Sequence, residues 1–323
     1  MTQINDGYSG ITSSPIHNQI IYNENPPEPF MKAIANDTYT KGNAKFSVTE
    51  LIVPSRVVAL NHEHGEQTRT PFSMIDSLMG RAIHNIMEDN DQEGIAEEIL
   101  YTTIEGVKIK GQFDRLEDGI IKDYKSVKVS SFKAKANDDF YDWVLQLNCY
   151  AEILREHGVE VEGLAVNAFL KDWSPIERDR YEDYPFNPWP EVHLKLMPPE
   201  EIRTWMTTRV RSHLAAMEDL PLCSDEDRWA SPYTFAMKKQ GRDRAVKLFK
   251  TAEEAKEWYS YQTDKSQLFL ERRPSTSRRC RHYCPVSQFC SQWATLKSEE
   301  DTGPILIPLN DVAARSSSFS IME

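Results

Sequence analysis

Two short runs with strand-like composition, Val107 to Arg115 and Ile120 to Lys125, meet at Glu117-Asp118-Gly119, and this junction constrains the fold more than any other stretch. An Asp-Gly pair between two such runs favours a tight turn in which both central residues take positive φ, so the spacing predicts a hairpin. Side chains alternate faces along a strand. Asp123 and Lys125 therefore share one face while Tyr124 points into the opposite layer, and Asp114 on the outgoing run lies beside Asp123 on the returning one.

Two aspartates and a lysine in one small space have a chemistry of their own. Hard divalent cations such as Mg²⁺ or Mn²⁺ prefer carboxylate oxygens and keep several waters, so Asp114 and Asp123 together with a phosphate make a workable shell. An ion held there acidifies its water and offsets charge on phosphoryl oxygens, and a second ion about 4 Å away would stabilise the leaving oxygen. Lys125 would orient or deprotonate the attacking water. These few residues read equally well as a solvated hairpin carrying Asp and Lys for solubility.

The flanking segments add weight. Met74 to Met87 has apolar residues at helical spacing with His84 beside that stripe, and Phe140 to Leu154 repeats apolar residues three and four apart, with Gln146 and Tyr150 one turn apart on a shared face. Singly, each reads as an ordinary structural helix. In order, Ser47-x-Thr49, Gly80-x-x-x-His84, Gly111-x-x-Asp114, Asp123-x-Lys125 and Gln146-x-x-x-Tyr150 resemble the RecB-like branch of the PD-(D/E)XK nucleases. That branch includes AddB nuclease domains, CRISPR-associated RecB-like exonucleases and phage exonucleases.

The resemblance implies an α/β, restriction-endonuclease-like core, a mixed central sheet flanked by helices. It also implies that His84, Asp114, Asp123 and the Tyr124 backbone carbonyl hold the metal, that Asp114, Asp123 and Lys125 are catalytic, and that Gln146 and Tyr150 position DNA. Glu98, just before the first strand, is a further candidate acid. The implied activity is a Mg²⁺- or Mn²⁺-dependent deoxyribonuclease, an exonuclease acting on single-stranded or duplex DNA ends in end processing, recombination or replication, with phage-encoded members among those it resembles.

Cysteine usage is uneven. Cys280, Cys284 and Cys290 fall within eleven residues, with Cys223 and Cys149 elsewhere. Thiols this close suit a soft metal or an iron–sulfur cluster, whereas short loops would strain disulfides. Cys223, in the loop Leu220 to Ser224, is the expected fourth ligand, and Cys149, on an apolar helix, reads as a small buried hydrophobe. Bunched C-terminal cysteines also resemble the iron–sulfur RecB-like enzymes. In those, however, the isolated cysteine precedes the nuclease motifs and the bunch opens with a tighter spacing, so Zn²⁺ with His282 as a ligand stays open, as do reduced, unliganded thiols.

A net charge of −12 opposes nucleic-acid binding unless charge is segregated. It is: Lys238 to Arg281 holds thirteen Lys or Arg against six Asp or Glu, a local +7 that leaves −19 for the rest. Tyr233, Phe235, Trp258, Tyr259 and Tyr261 are interleaved with these cations, a pattern that suits a groove tracking a nucleic-acid backbone, although solvated basic turns have the same composition.

The organisation read from composition is a mobile leader over 1–40, the nuclease core over 41–220, a cysteine-bearing α+β subdomain over 221–295 and a disordered acidic tail over 296–323. Within the core, Gly163 to Leu170 and Glu191 to Met197 read as strands, and the Pro-rich, aromatic stretch Ser174 to Pro190 as a substrate flap. Pro198-Pro199-Glu200-Glu201 opens a helix reaching Glu218. No signal-peptide or membrane-spanning run is present, so a soluble cytoplasmic protein is expected, in the host cytoplasm if phage-encoded. No phosphate-binding loop of helicase type occurs, so unwinding would fall to a separate helicase or recombinase partner. A second reading is a non-cutting DNA-binding or scaffolding subunit that recruits such a partner. A third is an RNA nuclease.

Overall fold

The computed structural model describes residues 27–35, 41–65, 71–90, 95–96 and 98–309. Helix α1 (Glu28–Ala35), with Lys32 paired to Glu28 at 2.7 Å, belongs to a unit of residues 1–38 and is the described part of the expected leader. The elements below belong to a second unit, Tyr39–Glu323.

Strand β1 (Phe46–Ser47) runs directly into α2 (Val48–Ile52) because Ser47 caps the helix. Its Oγ accepts the Glu50 amide at 3.3 Å while Glu50 Oε2 accepts the Ser47 amide at 2.8 Å, a reciprocal capping box. Next come α3 (Ser55–His64), α4 (Pro71–Asn90), β2 (Ile95–Ala96), β3 (Ile99–Ile104), β4 (Val107–Gln112), β5 (Arg115–Glu117) and β6 (Ile120–Val127). Helices α5 (Val129–Ala136) and α6 (Tyr141–Glu156) then lead to β7 (Gly163–Leu170), which is parallel to β6 over eight residue pairs. A parallel pair needs such a crossover. Then follow α7 (Pro175–Arg180), β8 (Glu191–Leu194) and α8 (Pro199–Glu218).

Two sheets result, one ordered β1-β4-β3 and one, mixed, ordered β2-β5-β6-β7-β8. The single strand expected from Val107 to Arg115 breaks at Phe113-Asp114, β4 joining the first sheet and β5 the second. Phe113 is drawn into the main core, only 2% exposed, and Asp114 leaves the ladder so that its Oδ2 accepts the Tyr124 amide at 2.7 Å. The Asp-Gly turn forms as expected, with Asp118 at φ 49 and Gly119 at φ 75. Helix α6 is buried almost without interruption from Trp143 to Leu154 and packs with Ile202, Met206 and Val210 of α8 in the core beneath the strands.

The chain continues through α9 (Asp225–Arg228), β9 (Ala230–Ser231), β10 (Thr234–Lys239), β11 (Lys247–Phe249), α10 (Ala252–Ser260), β12 (Leu268–Arg273), β13 (Thr276–Ser277), α11 (Arg278–His282), a 3₁₀ turn (Ser287–Phe289), α12 (Ser291–Asp301) and β14 (Ile305–Ile307). An antiparallel sheet ordered β11-β10-β12-β14 surrounds a second, small core of Met237, Phe249, Ala255 and Leu270. The expected tail begins too early at 296: α12 continues to Asp301 and β14 pairs along β12, Leu270 opposite Ile307, and 310–323 lie outside the described residues. Among the described residues no helix is long and apolar enough to cross a membrane.

Candidate active site

The break between β4 and β5 is where the charged residues meet. Arg115 pairs with Lys122 across the hairpin, and the same register carried one residue further sets Asp114 opposite Asp123. Helix α4 packs on β6 and delivers His84, whose Nε2 lies 3.0 Å from the Tyr124 carbonyl and whose Nδ1 lies 3.3 Å from Asp114 Oδ1. Lys125 Nζ is 2.6 Å from Asp123 Oδ2, which confirms that the two share a face. The Tyr124 ring lies on the opposite face, edge-on to the His84 ring at 6.2 Å and tilted against Phe169 at 6.3 Å.

Burial raises the Asp123 carboxyl to about 6; Lys125 pulls it down and Asp114 adds to the rise. Burial also works against the Lys125 ammonium, but the Asp123 carboxylate outweighs it and the lysine ends above its ordinary value. The hydrogen bond to Asp114 holds His84 up as well, against burial. Among the described residues no three His, Cys, Asp or Glu side chains stand in a metal-ligating arrangement; at the acids, His84 contacts Asp114 and the Tyr124 carbonyl while Lys125 covers Asp123. An arriving ion has to displace these contacts.

Gln146 Nε2 donates to Tyr150 Oη at 3.0 Å, and both are buried, 8% and 4% exposed. They approach the acids from beneath. The Tyr150 hydroxyl is raised well above its usual value by burial and by the charge of Asp123. Ser47 and Thr49 are hydrogen-bonded to each other at 2.9 Å in the helix cap and do not reach the acids. Glu98 is exposed ahead of β3.

Cys149 lies apart from the other four cysteines. Cys223, Cys280, Cys284 and Cys290 line one narrow cavity of about 20 Å³, room for a single water or ion, and Cys149 is buried in α6 with its thiol pushed up by burial. Burial raises Cys223 to about 12 and Cys280 to about 11, each also feeling its neighbouring cysteines. Arg56 Nε lies 3.2 Å from Cys290 Sγ, and Arg228 and Arg279 line the same cavity. His282 is not among its lining residues and faces a different cavity, beside Trp229. The Arg56, Arg228 and Arg279 guanidiniums and the Asp227 carboxylate share this cavity with the four thiols, which among the described residues do not stand in a metal-ligating arrangement. Arg56 and Trp229 had no local sequence signal; their partners come from elsewhere in the chain.

The profile of the PD-(D/E)XK nuclease superfamily matches residues 81–291, a span holding His84, both aspartates, Lys125, Gln146, Tyr150 and the four clustered cysteines. The chain belongs to the PD-(D/E)XK nuclease superfamily. Its mixed sheets flanked by helices are the restriction-endonuclease-like architecture. Among solved structures it is similar to SSO0001, at 15% identity and a TM-score of 0.39 over 56% of this chain and 83% of that one. It is also similar to a protein from Eubacterium rectale named for an inferred exonuclease activity, at 14% identity and a TM-score of 0.30 over 50% of this chain and 62% of that one. No curated protein matches the sequence.

Proposed function

We propose that this nuclease is a Mg²⁺- or Mn²⁺-dependent DNA exonuclease of the RecB-like branch, hydrolysing phosphodiester bonds during end processing, recombination or replication. The observation that carries the reading is the convergence of His84, Asp114, Asp123, Lys125 and the Tyr124 carbonyl at the break between β4 and β5. The donor set fits a hard divalent ion: two carboxylates, a backbone carbonyl and an imidazole. In addition, Asp123 Oδ2 is buried without an aligned hydrogen bond, the nearby ammonium lying at a poor angle.

His84, Asp114, Asp123 and the Tyr124 carbonyl hold the ion, which when bound supplies an acidified water and neutralises charge at the phosphate. Lys125 offers three donors to the attacking water and to a phosphate oxygen. Gln146 and Tyr150 position DNA indirectly, by fixing the floor under the acids. The four cysteines hold an iron–sulfur cluster, with Zn²⁺ the alternative, joining α11 and the start of α12 to the loop that follows α8.

The test is digestion of end-labelled single-stranded and duplex DNA with Mn²⁺, with and without chelator. Metal-dependent shortening is expected, and Asp114→Ala and Lys125→Ala should each lower it by roughly 10²-fold or more while remaining folded. Full activity in either folded variant removes the reading. DNA that is bound but never cut by the wild type, with Mn²⁺ present, identifies the non-cutting subunit instead.

A further inference from the structure

Helix α9 ends at Trp229, which sits in the left-handed region at φ 50, ψ 49. Glycine is the usual residue there, and a large side chain is strained in that conformation. Burial does not explain the choice, since Trp229 is 45% exposed. Cations surround it instead: the Arg278 and Arg279 guanidiniums lie 5.6 and 5.5 Å from the indole centroid, and the Tyr283 ring is 5.4 Å away.

The backbone register builds this cluster. β9 pairs with β13, Ser277 opposite Ala230, so the next residues outward, Arg278 and Trp229, fall across from each other. Together they open on a cavity of about 490 Å³ that His282 also lines. The two other charged residues there are committed: Arg281 pairs with Glu300 at 2.9 Å and Asp301 at 2.8 Å, and Glu300 also accepts the Ser277 amide at 2.5 Å. Among the described residues Arg278 has no carboxylate partner, and Tyr283 is 65% exposed. Four residues beyond Trp229, Tyr233 repeats the pairing, with the Arg272 guanidinium 5.3 Å from its centroid.

We propose that this cavity grips a single DNA strand, one base stacking on Trp229 while Arg278 and His282, which line the cavity with it, take the adjacent phosphates. The choice of DNA rests on the nuclease reading above; the choice of a single strand rests on the partial exposure of Trp229, onto which an unpaired base stacks as Arg278 turns from the indole to a phosphate, and on the local positive charge. The site is separate from the acids that cut. It shares α11 with the cysteine cavity, since Arg279 and Cys280 line that cavity too.

The experiment measures anisotropy of a labelled single-stranded oligodeoxynucleotide in chelator, so that binding is read whether or not the chain cuts. Trp229→Ala should weaken binding roughly 5- to 100-fold, with Trp229→Phe keeping most of it. Arg278→Gln should lower the slope of log K against log salt by about one. Trp229→Gly suits the positive φ and keeps the test valid if the alanine variant folds poorly. Wild-type binding by the glycine and alanine variants overturns the proposal, as does an equal loss for a blunt duplex, or tighter binding of RNA of the same sequence. Failure of the nuclease reading would appear separately, in digestion by the wild type.

Discussion

Gly111 fixes the site through the side chain it lacks. An added Cβ would stand 2.7 Å from Ile153 Cδ1 and 3.5 Å from Tyr150 Cδ1, so α6 lies against β4 at a separation that glycine allows, three residues before Asp114. Gly111→Ala is expected to lose about 1 to 3 kcal/mol. Combined with Ile153→Val, which removes the colliding methyl, it should lose less than the two separate losses added, and urea denaturation of all four proteins reads this. His213 gives a pH dependence. Its ring is fully buried between Ser55 Oγ at 2.9 Å and the Glu50 carbonyl at 3.0 Å, and burial holds it down to about 4. The unfolded chain takes up a proton near 6.5 while the folded one does not until about 4, so this contribution is complete above 6.5 and declines as pH falls toward 4, by about 3 kcal/mol. The urea midpoint of His213→Gln should fall less than that of the wild type across that range. Asp114, Asp123, Lys125 and the Gln146–Tyr150 pair were legible because turn chemistry and helical spacing are short-range. His213 was not, since Ser55 is 158 positions away and no local pattern records such a partner.

At the scale of elements, the run from Val107 to Arg115 shows what local pattern omits. Both halves have strand composition; which ladder each joins is decided by β1 and β6, and the break lands on Asp114 because Phe113 is taken into the core. Phe113→Ala is expected to cost about 3 to 5 kcal/mol and to lower cleavage in the molecules that remain folded, as Asp114 loses its seat. Thermal melting and DNA digestion on the same preparation check both. The Ser47 motif carries the opposite expectation. With Ser47 serving as a helix cap, Ser47→Ala should cost about 1 kcal/mol and leave cleavage per folded molecule unchanged. Lost cleavage at unchanged stability would move Ser47 into the active site.

For the molecule as a whole, four cysteines separated in sequence meet beside α3, where Val57 and Leu60 pack with Val286. Cys284→Ser should release bound iron or zinc and lower the melting temperature together; purified wild type free of both metals, or a variant that melts like it, would end the clamp reading. Arg56, on the same helix and 4% exposed, donates to Cys290 Sγ, to the Leu220 and Pro221 carbonyls at 3.3 and 3.1 Å, and to Ser291 Oγ at 2.9 Å. The most distant of these acceptors lies 235 positions further along. At about 5 to 20 residues per second, a ribosome brings that acceptor out roughly 10 to 50 s after the arginine, so the early helices wait with a guanidinium they cannot yet bury, and this corner of the molecule closes only once Ser291 has emerged.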